Sequence, residues 1–162
     1  MKRTILRQLC EWKESGTRKP LILNGARQVG KTYILKEFGQ TYYKNVAYVN
    51  LDKDKQAAAI WDKGYDVKRI ILSLSALLNI NIKAGETLII LDEIQDCPNA
   101  RTAFKPLAID GRFDVIASGS LLGIKYKKEK LKREPRSIPV GFERQVTMHS
   151  LSFREYLRAV GY

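Results

Sequence analysis

The stretch Gly25-Ala26-Arg27-Gln28-Val29-Gly30-Lys31-Thr32 sets two glycines, a lysine and a threonine at the spacing G-x-x-x-x-G-K-[ST]. What surrounds it makes it the strongest constraint on the fold. After Pro20, the short apolar run Leu21-Ile22-Leu23 reads as a strand buried on both faces, and Lys31 to Phe38 reads as a helix. A glycine turn between a buried strand and a helix start lets the backbone wrap phosphate oxygens, with amide N–H groups and the helix N-terminus facing the anion. The nucleotide-binding segment is then Gly25, Ala26, Arg27, Gln28, Val29, Gly30, Lys31, Thr32 and Tyr33. In it Lys31 reaches the β and γ phosphates of ATP, and the Thr32 hydroxyl is a ligand for Mg²⁺. The plainer reading, a glycine turn whose lysine points to solvent, does not account for the strand and helix on either side.

The rest of the chain repeats the alternation of strand and helix. Ile5, Leu6, Leu9 and Trp12 recur at helical spacing between Arg3 and Glu14, and Ser15-Gly16 follows as a stop. Val46 to Val49 reads as a second strand, Ala57 to Trp61 as a short helix, and Asp66 to Asn79 as a longer helix with Asp66 as its N-cap. Leu88 to Leu91 reads as a third strand. A helix is expected after Pro98, kinked or ended by Pro106, because proline lacks the amide donor. Asp110-Gly111 turns the chain into a strand over Phe113 to Ala117; Val146 to Met148 reads as the last strand and Phe153 to Val160 as a helix. Such alternation predicts an α/β fold of three layers, helices on both faces of a mainly parallel sheet.

Asp92-Glu93 ends the apolar run Leu88 to Leu91. A strand buried on both faces does not carry two acids at its end without a use for them, since an unpaired buried carboxylate costs several kcal/mol. The functional reading gives Asp92 to Mg²⁺, mostly through water, and makes Glu93 the catalytic group that orients or polarises the attacking water. The plainer reading is a solvated strand end. Ser118-Gly119-Ser120 closes the strand Phe113 to Ala117. If that strand lies between the two already discussed, Ser118 or Ser120 faces the γ-phosphate, with Ser118 preferred; Gln95 is a further candidate.

The 162 residues suit one domain, since single cores usually organise about 100 to 200 residues. Twenty-nine Lys and Arg against 17 Asp and Glu give a formal charge of +12 and favour an anionic partner. Seven basic and two acidic residues between Ile124 and Arg136 put a net +5 of it in one segment. That segment either tracks nucleic-acid phosphates or contacts a protein, or it is a solvated loop; a single aromatic, Tyr126, gives it no stacking platform. Cys10 and Cys97 stand alone, so no disulfide framework or zinc site is expected, and His149 has no assigned role. The start of the chain lacks an apolar signal segment and no stretch is long enough to span a bilayer, so a cytoplasmic protein without membrane contact is expected.

Four motifs in order resemble one family: Leu21 to Thr32, Leu91-Asp92-Glu93-Ile94-Gln95, Ala117-Ser118-Gly119-Ser120, and Leu151-Ser152-Phe153-Arg154-Glu155-Tyr156-Leu157. It is the prokaryotic AAA-type P-loop ATPases of the additional-strand, catalytic-glutamate division. The resemblance implies a three-layer P-loop NTPase fold with strand order 5-1-4-3-2, and Ser118 or Ser120 between the phosphate loop and Asp92. It implies catalytic roles for Glu93, Lys31 and Ser118, with ATP and Mg²⁺ as cofactors. It divides residues 1–162 into an N-terminal helix and linker (1–19), a nucleotide-binding core (20–122), a basic loop (123–139), and a last strand with the start of a helix (140–162). Relatives continue into further domains, so a missing C-terminal module is expected as the partner that hydrolysis drives or switches, and a homo-oligomer stays open. Many relatives carry a Gly-Arg pair where this chain has Gly141-Phe142, leaving Arg136 and Arg144 as the arginine candidates.

Overall fold

A computed structural model describes residues 4–16, 19–120 and 141–161. The basic segment 124–136, with Arg136, lies outside the described residues. The elements run α1 (Thr4–Glu14), β1 (Leu21–Gly25), α2 (Lys31–Tyr42), β2 (Asn45–Asn50), α3 (Lys55–Ile60), α4 (Val67–Leu78), β3 (Thr87–Asp92), α5 (Pro98–Thr102), α6 (Phe104–Asp110), β4 (Asp114–Ser120), β5 (Arg144–Met148) and α7 (Phe153–Ala159).

The five strands form one sheet in the order β2-β3-β4-β1-β5, and every pairing is parallel. Read from the other edge the order is 5-1-4-3-2, as the sequence resemblance implied. Burial follows position. Every residue of β1, β3 and β4 is buried, whereas the edge strands β2 and β5 alternate. The continuous apolar runs are thus the central strands, covered on both faces.

Two cores result. On one face α1 and α2 cover Leu21, Leu23, Leu88, Ile90, Ile116, Val146 and Met148. On the other, α3 to α6 cover Ile22, Val49, Ile89, Leu91, Val115 and Ala117. Strand alternation sends neighbouring residues of β1 to opposite cores. Helix α2 lies close to the sheet because Gly39 has no side chain: a Cβ there would meet Val46 at 2.6 Å.

Local signals set most boundaries. Asp66 caps α4 by accepting the N–H of Arg69 at 3.2 Å, and Asn79 ends it in the left-handed conformation. After Pro98 the helix breaks at Ala103, one turn before Pro106, which cannot donate to the Thr102 carbonyl; a new helix then carries Pro106 in its first turn. Helix α2 runs one turn past Phe38, to Tyr42, and its end is fixed by the Tyr43 N–H donating to Gly39.

Candidate functional site

The C-terminal ends of β1, β3 and β4 meet the N-terminus of α2, where parallel α/β sheets bind their ligands. A cleft of about 750 Å³ opens there, with Arg27, Gln28, Gly30, Lys31, Thr32 and Tyr33 on one wall and Tyr48, Asn50, Asp92, Glu93, Gln95 and Asp96 on the other. Asp52 and Lys53 also line it.

The loop is shaped by backbone that few residues adopt. Gln28 and Gly30 have φ of 62° and 92°. Gly25 is hemmed in by β5, since a Cβ on it would lie 2.6 Å from the Met148 carbonyl oxygen. Lys31 begins α2 and is buried; its ammonium donates to the carbonyls of Gly25 at 3.1 Å and Ala26 at 2.6 Å. Burial pushes the Lys31 amine below its ordinary value, against the opposing pull of the nearby Glu93 and Asp92 carboxylates. Tyr33 points outward, 68% exposed, at the cleft rim.

Asp92, 3% exposed, collects hydrogen bonds from three elements. Thr32 Oγ1 donates to its Oδ2 at 2.8 Å, Tyr48 Oη donates to the same oxygen at 2.7 Å, and Ser118 Oγ donates to its Oδ1. Ser118 also accepts the Glu93 N–H at 3.1 Å. The Ser118 hydroxyl is therefore engaged with the two acids, and β4 does lie between β1 and β3 as the Ser118 assignment required. Glu93 itself takes a left-handed backbone, φ 58°, and its carboxylate accepts from the Gln95 side chain. Gln95 in turn accepts the Ser120 N–H at 3.3 Å. The Ser120 hydroxyl is buried and makes no hydrogen bond to another of the described residues.

Hard oxygen donors suit Mg²⁺, and the Thr32 hydroxyl beside the Asp92 carboxylate supplies them, Asp92 mostly through water. Few protein ligands are needed, because this ion usually keeps waters and substrate phosphates in its shell. The residues present fit the ion on these grounds.

Two features escaped the sequence reading. Tyr48 was only one residue of a strand; its phenol is half-buried against Asp92, and desolvation first, then the bond to Asp92, raises its pKa well above the ordinary tyrosine value, so that it acts as a donor. The only sequence signal was a tyrosine two residues before the end of a strand that neighbours the acid pair. Arg101 and Glu143 form a two-pronged ion pair at 3.1 and 2.5 Å, tying α5 to the residue before β5. Their separation of 42 positions gave no signal at all.

Arg144, one of the arginine candidates, opens β5 opposite Leu21, the first residue of β1. It therefore sits at the end of the sheet away from the cleft and cannot reach the γ position of its own site. Arg136 lies outside the described residues. No helix among the described residues is long and apolar enough to cross a membrane.

A family model described as an AAA domain matches residues 17–157, and the chain belongs to that family. No curated protein matches it. Among solved structures the chain is similar to the Pif1 helicase from Candida albicans, at 12% identity and a TM-score of 0.44, over 98% of this chain and 42% of that one. It thus spans less than half the length of the helicase it matches.

Proposed function

We propose that this member of the AAA-domain family binds Mg-ATP in the cleft and hydrolyses it, as the nucleotide-driven part of a larger machine. One observation carries the reading: Thr32 from the phosphate loop, Asp92 from β3 and Ser118 from β4 converge on one hydrogen-bonded cluster. Glu93 lies next to it and Lys31 opens the helix. In this reading the loop amides and the N-terminus of α2 hold the phosphates, and Lys31 exchanges the carbonyls of Gly25 and Ala26 for phosphate oxygens. Thr32 and Asp92 hold Mg²⁺, which when bound neutralises developing phosphate charge. Glu93 takes the proton of the attacking water, and Gln95 holds its carboxylate in place. Hydrolysis drives or switches a further module, and nucleic acid or protein is a partner for the basic segment 124–136.

Turnover by the chain alone is slow in this reading. A positioned arginine is worth about 10³ to 10⁵ in phosphoryl-transfer rate, and Arg144 stands at the wrong end of the sheet to supply it. A nucleotide-dependent switch with little turnover is thereby the second reading.

The test is a thermal shift. At about 100 times its dissociation constant Mg-ATP adds about 2.7 kcal/mol, which for a domain of this size raises Tm by roughly 5 to 11 °C. Lys31→Ala removes the shift. An unchanged Tm for the wild-type chain in millimolar Mg-ATP, with circular dichroism showing the fold intact, overturns the proposal.

A further inference from the structure

Tyr48 stands on β2, the edge strand beyond β3, and pairs in register with Ile90. Side chains two apart share a face, so Tyr48 and Asp92 project from the same side of the sheet, toward α2. The phenol leans diagonally across to Asp92 and donates to Oδ2 at 2.7 Å, the oxygen that also accepts from Thr32. The ring has a seat of its own: the ammonium of Lys36 lies 3.9 Å from its centroid. Lys36 is one helical turn beyond Thr32 on α2. The contacts close a circuit from Thr32 to Asp92, to Tyr48, to Lys36 and back along the helix.

We propose that Tyr48 is a positioning residue for the cation: its hydroxyl fixes Asp92, and through it the Thr32–Asp92 pair, in the orientation that Mg²⁺ bound with nucleotide requires. The inference rests on the Mg-nucleotide reading of the cleft and adds a residue to it.

The physical case is the division of lone pairs. An ionised carboxylate accepts only, with about two sites on each oxygen. At Oδ2 both are used, one by Thr32 and one by Tyr48; Ser118 holds Oδ1. The Thr32 oxygen can keep its proton on Asp92 while turning a lone pair toward a cation, provided that the carboxylate does not rotate. Ser118 holds Oδ1, and the bond at Oδ2 from Thr32 comes from the very group that must turn toward the cation. Tyr48, anchored on a different strand and by a ring contact to α2, restrains Oδ2 independently of Thr32. Groups that orient metal ligands in this way typically change metal affinity by about 10- to 100-fold when mutated.

Tyr48→Phe keeps the ring and its seat and deletes only the hydroxyl. The measurement is affinity for a fluorescent ADP analogue over a series of Mg²⁺ concentrations and in EDTA. We expect Tyr48→Phe to raise the Mg²⁺ concentration for half effect by about tenfold or more, with affinity in EDTA unchanged within about twofold. Lys36→Met, which removes the cation from the ring face, moves the Mg²⁺ requirement in the same direction by less. Should Tyr48→Phe fail to fold by circular dichroism, Lys36→Met carries the test: a rise in the Mg²⁺ requirement beyond about twofold with affinity in EDTA unchanged supports the inference, and no rise overturns it. An unchanged Mg²⁺ requirement beside a Mg²⁺-dependent wild type overturns this inference and leaves the functional reading standing. Equal loss of affinity with and without Mg²⁺ overturns it too, since the role is then merely structural. A wild-type chain that binds no nucleotide under either condition overturns both.

Discussion

At the ends of β3 and β4 every strand residue is buried, and Thr32, Tyr48 and Ser118 each donate a hydrogen bond to the Asp92 carboxylate. At the β5–α7 flank three of five strand residues are exposed, and the helix turns Phe153, Tyr156 and Val160 to solvent. A buried polar cluster is tolerable only when its members satisfy one another, and once they do its geometry is rigid. Strand β5 is held by its ladder to β1, and the polar contacts of α7 include the Ser152–Glu155 capping box and the Thr4 N–H on Glu155 at 2.9 Å. The first region is built before any ligand arrives; the second keeps an apolar surface uncovered. Damage to the two regions should therefore differ in kind.

The largest expected effect lies at the acid end. Glu93→Gln keeps the size and the contact with Gln95 but removes the base, so turnover should fall by about 10²- to 10⁴-fold with Mg-ATP affinity retained. Asp92→Asn should instead weaken the Mg²⁺ dependence of binding. Steady-state hydrolysis and equilibrium binding separate the two; equal turnover in Glu93→Gln and wild type removes Glu93 from the mechanism.

Stability probes the comparison next. Phe38 is fully buried between α2 and the sheet, so Phe38→Ala should cost about 3–5 kcal/mol, a fall in Tm of roughly 6 to 20 °C. Phe153 is 76% exposed, and Phe153→Ala should stay within about 0.5 kcal/mol. Comparable losses in thermal melts would mean that the flank packs in solution against something this arrangement does not contain. Ser152→Ala, which removes the α7 cap, should cost about 1 kcal/mol and raise hydrogen exchange in α7 while leaving the sheet protected.

Legibility from the sequence follows the same division. The phosphate loop, the acid pair and the buried strands were visible because each is written in consecutive residues: a glycine spacing, an apolar run ending in two acids, a proline that interrupts a helix. The N-caps Asp66 and Ser152 are likewise local. What stayed hidden depends on residues that meet only after the sheet is assembled. Tyr48 reaches Asp92 across 44 positions and Ser118 reaches it across 26, and no pattern within either strand announces the meeting. Ser118 was named because the strand order expected from the family resemblance placed β4 beside β3; nothing placed Tyr48 there. Arg144 is excluded for its own site by a rule that the sequence did hold: it opens its strand, and the cleft of a parallel sheet lies at the C-terminal strand ends.

The smallest effect concerns charge at the acid end. The Lys31 amine lies below its ordinary value of 10.5 because burial outweighs the attraction of Glu93 and Asp92. A lysine whose folded pKa is depressed opposes folding while it is charged, and the opposition fades as pH rises through the folded value toward 10.5. In the free protein Lys31 thus begins to lose its proton at a lower pH than an exposed lysine does. A bound polyphosphate supplies the counter-charge that burial withholds and raises the value again, so binding takes up a proton in the window between the two. By linkage, nucleotide affinity should weaken as pH rises through that window, which opens below 10.5. Calorimetry of Mg-ADP binding in two buffers of different ionisation enthalpy, at neutral pH and again at alkaline pH, reads the proton directly. Uptake should appear within that window below 10.5 and should vanish from it in Lys31→Arg, whose guanidinium keeps its charge throughout. Alkaline uptake that persists in Lys31→Arg would place the proton elsewhere, and the burial of Lys31 would then have no bearing on binding.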